Sequence, residues 1–389
     1  MKKTNRRGFF RTILTGIGGM IIGFIASRLM PWRVHKRVYS PGSTGYTRIV
    51  YRDLGSTGFK VSEIGFGAMN MRDSELVHAA IDEGINFIDT AHGYMEGANE
   101  RIIGEVMRTK RDRVFLTTKI DAAEPARMTE MVKTSLSRLR TDYVDLLLFH
   151  SVGPSEILND DYRRVFDDAR SEGLTRFVGY STHSFSAEIL DATLADDFWE
   201  AVLVMYHFLS GPEASENIRK AREAGRGVIT MKSIVRGIID PTNTENIASP
   251  TAALRWVLDN PYVDTVIPGI TSFEQLAEDV AVMGSRLTED DRQALNSYHQ
   301  SIAGHYCLGT AGCTECSARC PHGVPIPDIL RCMGYAYGYG NIALARENFR
   351  RLPDTGILAR CADCSECSVR CVNGLDLTEH MRRAGTLFA

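Results

Sequence analysis

Eight short apolar runs, each trailed by a longer segment of helical period, recur between residues 47 and 300 of this 389-residue chain. The runs are Ile64–Ala68, Phe87–Thr90, Val114–Thr118, Val144–Phe149, Phe177–Ser181, Ala201–Met205, Gly227–Met231 and Thr265–Pro268. Helical patterns fill the intervals: Ser74–Glu83, Asn99–Arg108, Met128–Leu139, Tyr162–Ser171, Ser186–Leu194, Ala214–Glu223 and Thr251–Leu258, with an eighth at Glu274–Val282. Strand and helix in strict alternation imply a parallel sheet covered by helices. A doubly wound sheet would favour Gly-x-Gly-x-x-Gly after its first strand. Here Gly65-Phe66-Gly67-Ala68-Met69-Asn70 lacks the third glycine. The span also fits the ~250 residues of a closed barrel. The expected fold class is therefore α/β, a (β/α)8 TIM barrel over residues 47–300.

In such a barrel, chemistry sits where strands end at their carboxyl side. The second strand runs into Asp89 and then Tyr94, the third into Lys119, the fourth into His150. A phenol beside an ammonium is a proton donor whose anion the ammonium stabilises. The Asp89 carboxylate would keep Lys119 charged and oriented, and His150 would hydrogen-bond a substrate oxygen. Such a group suits protonation of a carbonyl oxygen while a hydride reaches carbon. His92 and His183, near the same rim, read as loop residues.

Asp89, Tyr94, Lys119 and His150, in order on successive strands, resemble the catalytic tetrad of the aldo-keto reductase family. Gly55-Ser56-Thr57-Gly58 with Val61-Ser62, Gly179-Tyr180-Ser181 and Ile267-Pro268-Gly269 extend the resemblance. It implies Tyr94 as acid, Lys119 tuning it, Asp89 supporting Lys119, and His150 orienting a carbonyl or alcohol substrate. It also implies an NAD(P)H site drawing on Ser181, Thr182, Tyr206, Pro268, Gly269 and Ser272. Two departures argue against conventional NADPH binding. Thr182 and Leu203 stand where family members commonly hold the nicotinamide amide, and leucine has no hydrogen-bonding group. The segment Ile270-Thr271-Ser272-Phe273-Glu274-Gln275 offers a carboxylate and no cation to a 2′-phosphate.

All nine cysteines lie beyond residue 306. One confined block suggests a metal module rather than a disulfide framework. Cys361-x2-Cys364-x2-Cys367-x3-Cys371 has the bacterial ferredoxin spacing for a 4Fe–4S cluster, with Val372 replacing the usual proline. Cys313-x2-Cys316-x3-Cys320-Pro321 is a second run, in which Thr310 occupies the expected first position. Cys307 or Cys332 completes that set. The pair resembles a two-cluster ferredoxin domain, in which the fourth cysteine of each run serves the other cluster. That implies one cluster on Cys307, Cys313, Cys316 and Cys371 and another on Cys361, Cys364, Cys367 and Cys320. Zinc is the rival metal. Residues 301–389 are thus expected to form a small α-helical, ferredoxin-like iron–sulfur domain. The whole resembles aldo-keto reductase-like proteins that carry such a domain.

Residues 1–52 hold 11 of the 45 Lys and Arg and none of the 48 Asp and Glu. The remaining body is acidic, which excludes nucleic acid as an expected partner. Arg6-Arg7 before Phe9-Phe10, followed by an uncharged stretch from Thr12 to Ser27, resembles a twin-arginine export signal. Residues 1–30 are expected to be this signal or a membrane anchor, and 31–46 a linker. The protein is then exported or membrane-anchored, on the periplasmic or the cytoplasmic side. A redox partner protein or carrier is expected beside the small-molecule substrate. The rival reading is an electron-transfer or assembly subunit on a barrel that no longer catalyses.

Overall fold

The computed structural model describes residues 49–235, 249–302, 304–307, 313, 315–352, 357–362, 364 and 367–388. The expected signal, the linker and Thr310 lie outside these residues. A hairpin comes first, β1 (Tyr51–Asp53) with β2 (Lys60–Ser62), antiparallel and pairing Tyr51 with Ser62. The barrel strands follow as β3 (Phe66–Gly67), β4 (Phe87–Asp89), β5 (Phe115–Ile120), β6 (Val144–Phe149), β7 (Thr175–Thr182), β8 (Ala201–Met205), β9 (Gly227–Met231) and β10 (Thr265–Val266).

The helices between them are α1 (Ser74–Asp82), α2 (Ala98–Lys110), α3 (Pro125–Leu139), α4 (Pro154–Ile157), α5 (Asp160–Ser171), α6 (Ala187–Leu194), α7 (Pro212–Glu223) and α8 (Pro250–Leu258). After β10 come α9 (Phe273–Val280) and α10 (Glu289–Ser301). The cysteine-bearing module contributes α11 (Glu315–Arg319), α12 (Ile326–Tyr337), α13 (Ile342–Arg350), α14 (Ile357–Ala362) and α15 (Leu377–Phe388).

Strands β3 to β10 pair in sequence order, all parallel. Parallel bridges Ile64–Val266 and Gly67–Gly269 close the ring. The expected eight-stranded barrel is what forms. Closure needs Gly67, because a Cβ there would stand 2.6 Å from the Pro268 carbonyl oxygen. β5 and β6 are buried at every position, as a strand covered on both faces requires. Helix starts carry recognisable caps. Asn159 accepts from two amides at the start of α5, Ser272 caps α9, and Thr288 with Asp291 forms a capping box on α10.

The hairpin was legible only as the Gly55–Gly58 turn. It plugs one end of the barrel. Leu54 and Val61 are fully buried against Phe87, Phe115, Leu146, Ala201 and Ile229, with Phe59 edge-on to Phe115 at 5.0 Å. With that end filled, the strand carboxyl ends are left as the open mouth.

The module has its own core. Val324, Ile326, Ile329, Cys332, Met333, Leu377, Met381 and Ala384 form it, and Phe349 stacks on Phe388 at 4.3 Å. Helices α12 and α13 lie over the barrel mouth. Three contacts mark the seam: Asn341 donates to Asn70 Oδ1 at 3.0 Å, Lys232 meets Tyr335 at 3.0 Å, and Arg351 meets Asp121 at 2.9 Å. No helix among the described residues is long and apolar enough to cross a membrane.

Candidate active site

The strand ends deliver the four rim residues to one place. Lys119 leaves β5 inside the barrel, with 1% of its side chain exposed. Its Nζ lies 2.7 Å from Asp89 Oδ2, 2.7 Å from the Thr90 carbonyl and 3.3 Å from the Tyr94 hydroxyl. Tyr94 presents its ring to the same ammonium at 4.8 Å and meets His150 edge-on at 5.9 Å. The turn carrying Tyr94 is held firmly. Asn99 donates to the Ala68 carbonyl at 2.7 Å and accepts from Thr90 at 2.6 Å. Buried Glu100 takes Thr118 Oγ1 at 2.7 Å and Arg138 at 3.1 Å, and Arg138 donates to the His92 carbonyl. Met95 and Glu96, next after Tyr94, both adopt left-handed φ near 53° and 54°. Two such non-glycine residues in succession store strain beside a functional group.

Burial dominates the electrostatics. It raises the Asp89 carboxyl and lowers the Lys119 ammonium, each against the pull of the other. Tyr94 is held well above 10, first by burial, then by the negative charge of Asp89 and the nearby Tyr335 and Asp121. The expectation that Lys119 would lower the phenol is corrected here. Lys119 is committed to Asp89 and to the Thr90 carbonyl, so desolvation wins. Tyr94 therefore keeps its proton throughout the physiological range, as a donor must.

His150 is tethered from behind by Asp121, Nδ1 to Oδ1 at 2.9 Å. Burial alone would raise Asp121. The His150 hydrogen bond and the charges of His150 and Arg351 reverse this and hold it at about 2. Asp121 was missed in the sequence, although it stands two residues past Lys119 at the end of β5 and the rim rule points to it. His92 and His183 are loop residues bonded to Ser135 and Ser151 at 3.1 and 3.0 Å.

A cavity of about 1410 Å³ joins the tetrad to the module. Of the six positions expected at a nicotinamide, Ser181, Pro268 and Gly269 line it. The other three do not, and each has a structural task. Thr182 turns its hydroxyl to the Ser184 carbonyl at 2.9 Å. Ser272 caps α9. Tyr206, expected to stack on a nicotinamide, is 3% exposed, packs on Trp256 and bonds Ser215 and Asn260. Leu203 fills the barrel interior. Past β10 the acids facing the cavity are Glu278 and Asp279, whereas Glu274 is turned to solvent. No Lys or Arg lies on that turn, so the residues do not fit a 2′-phosphate.

In the module, the Cys361 thiol is raised by burial first and then by the neighbouring Cys320, Cys364 and Cys367. These four form the second of the two expected ligand sets. Cys307 lies beside the chain that follows Cys371: Asn373 Nδ2 donates to the Tyr306 carbonyl at 2.8 Å, and Gly304 abuts Gly374. Cys332 is fully buried, in the apolar core, with its thiol pushed up to about 11 by burial. Among the described residues no three Cys, His, Asp or Glu side chains are drawn into a metal-holding group.

Residues 62–252 match the model of the aldo/keto reductase family. The uncharacterized oxidoreductase YqkF of Bacillus subtilis is 27% identical over 297 residues, covering 64% of this chain and 95% of that one. Methylglyoxal reductase DkgB of Escherichia coli O157:H7 is 25% identical over 252 residues, covering 60% and 92%. Among solved structures, aldo-keto reductase AKR11C1 of Bacillus halodurans superposes with a TM-score of 0.55 at 26% identity, over 64% of this chain and 96% of that one. With its closed barrel, its gathered rim and these likenesses, the chain is similar to the aldo/keto reductase family and is an oxidoreductase.

Proposed function

We propose that this chain interconverts a small-molecule carbonyl and its alcohol at the barrel mouth. One observation carries the reading: the Lys119 ammonium bridges buried Asp89 at 2.7 Å and the Tyr94 hydroxyl at 3.3 Å, on the wall of a cavity that also holds His150. Tyr94 donates its proton to the carbonyl oxygen. The Lys119 ammonium, kept in place by Asp89, stands 3.3 Å from the donating oxygen. His150, anchored by Asp121, hydrogen-bonds the same oxygen and fixes the face presented for reduction.

Reduction of a carbonyl takes two electrons and two protons. We assign the electron supply to two 4Fe–4S clusters in the module. Cys361, Cys364, Cys367 and Cys320 would hold one, and Cys307, Cys313, Cys316 and Cys371 the other; the neighbourhood of Cys361 supports the first set. Iron–sulfur clusters pass electrons singly, so an electron-pair carrier, a nicotinamide or a flavin, would be needed between them and the substrate. The acids facing the cavity past β10 disfavour NADPH in that role. Arg6-Arg7 ahead of an uncharged run supports twin-arginine export, with the folded, cofactor-loaded protein delivered outward or held at the membrane.

The test is carbonyl reduction by anaerobically purified protein with a low-potential electron donor. Wild type turns over and Tyr94→Phe does not. Equal activity of the two proteins sinks the assignment.

A further inference from the structure

Two cations from distant parts of the chain converge on one hydroxyl at the cavity wall. Lys232 follows β9 in a left-handed backbone conformation, φ 57°. Its Nζ lies 3.0 Å from the Tyr335 hydroxyl oxygen and 4.4 Å from the centre of that ring. Arg331, one turn earlier on α12, donates from Nη1 to the same oxygen at 3.3 Å. Asp328 is the carboxylate paired with Arg331, at 3.2 Å and half exposed. Among the described residues no carboxylate is within ion-pair reach of Lys232. Tyr335 is 4% exposed, whereas Lys232 and Arg331 keep open surface toward the cavity.

Like charges sharing one oxygen in a poorly solvated pocket repel. An unpaired, partly buried ammonium is costly, and an anion between the two offsets that cost. A neutral histidine stands beside the pair on this wall, and the carboxylates of the cavity include Asp89, Asp121, Glu278, Asp279 and Glu347. The histidine, His183, is held neutral by burial first and then by Lys232 and Arg331. Its Nδ1 and Ser151 Oγ share a hydrogen bond at 3.0 Å. Carboxylates bind such groups through several charge-assisted hydrogen bonds at once. Tyr94, His150 and Tyr335 line the same cavity.

We propose that Lys232 and Arg331, held together by the Tyr335 hydroxyl, seat a carboxylate carried by the substrate, which makes the substrate class oxo acids and their hydroxy acids. This rests on the carbonyl reading of the tetrad. One cation comes from the barrel and one from the module, so the seat exists only when the module is docked. Tyr335 is a positioning residue: it holds the two cations at a fixed spacing.

The test is calorimetric titration of the full-length protein with oxamate, an unreactive oxo-acid mimic, and with neutral oxamide. Oxamate binds, and oxamide binds at least about tenfold more weakly. Lys232→Met and Arg331→Met each weaken oxamate about tenfold, Lys232→Arg restores much of the affinity, and Tyr335→Phe gives a smaller loss. Unchanged melting curves confirm that the variants fold. Tyr94→Phe keeps oxamate affinity while losing turnover, which separates this seat from the tetrad's role. Equal binding of oxamate and oxamide overturns the proposal. So does a Lys232→Met protein that binds oxamate normally but has lost affinity for pyrophosphate or NADPH, since the seat would then belong to a nucleotide.

Discussion

Arg351 reaches from the end of α13 across the barrel mouth and places Nη1 2.9 Å from Asp121 Oδ1, the oxygen that also takes His150 Nδ1 at 2.9 Å. A residue of the module thus sets the charge behind a residue of the tetrad. Asp121 is held at about 2 against an ordinary 3.8. A carboxylate lowered in the folded state contributes stability above its unfolded value and loses it as pH falls through the folded one. The contribution is therefore intact at neutral pH and fades between about pH 4 and pH 2. Arg351 is 38% exposed, so screening reduces the effect to about 1 kcal/mol. Melting temperature followed against pH shows this slope in wild type and loses it in Asp121→Asn. An unchanged slope in that variant refutes the account.

Tyr94→Phe removes one hydroxyl from a half-buried ring whose turn is fixed by Asn99, Glu100 and Arg138. The fold survives and carbonyl turnover falls roughly a hundred- to ten-thousand-fold. Stopped-flow or steady-state rates with a common substrate decide it. A loss below about threefold means that another group donates the proton.

Lys119→Met leaves the Asp89 carboxylate buried without its ion partner. Breaking such a pair destabilises by about 3–5 kcal/mol, while replacing both members with apolar groups recovers much of the loss. Lys119→Met in combination with Asp89→Leu is therefore more stable than Lys119→Met alone, and equally inactive. Urea denaturation of the three proteins measures the order.

The barrel was legible because its signals are local. Alternating strand and helix periods, and the runs ending at Asp89, Lys119 and His150, survive in one dimension. Tyr94 was found by its place after β4. The seam was not legible. Lys232, Tyr335, Arg351 and Asp121 meet across sequence gaps of 103 and 230 residues, and no periodicity marks a contact between a strand end and a helix of another core. Tyr206 misled for a related reason. Its position beside the rim follows from β8, but its inward turn follows from Trp256 and Asn260, which no local pattern reports.

Cys361 and Cys332 give opposite outcomes in the metal test. If the proposed clusters are present, Cys361→Ser removes a ligand from one of them, so iron and sulfide per chain fall by about half and visible absorption falls with them. Cys332→Ala removes a core thiol pushed to about 11, leaves iron content unchanged, and costs only a small cavity. Anaerobic purification with iron and sulfide counts reads both. Iron loss on Cys332→Ala would move that residue into the first ligand set in place of Cys307. Zinc in place of iron would remove the electron-transfer role.

Asp279 lines the cavity, 4% exposed, with its carboxyl raised to about 7 by burial and by the neighbouring Glu278. The sign is opposite to that of Asp121. A carboxyl raised in the folded state binds its proton more tightly there than in the unfolded chain. Stability is full below about pH 4, where both states are protonated, and is lost as pH rises toward 7. Above pH 7 the native state carries the whole penalty of a buried anion, on the order of 2–4 kcal/mol. Asp279→Asn removes it. That variant matches wild type near pH 4 and exceeds it at pH 8, with the gap opening between those values. Because this anion faces the cavity, it also repels any nucleotide phosphate brought there at high pH. Asp279→Asn therefore gains NADPH affinity at pH 8 and little at pH 5, by fluorescence titration. An equal gain at pH 5 would show that Asp279 is already ionised there, and so would refute its raised carboxyl.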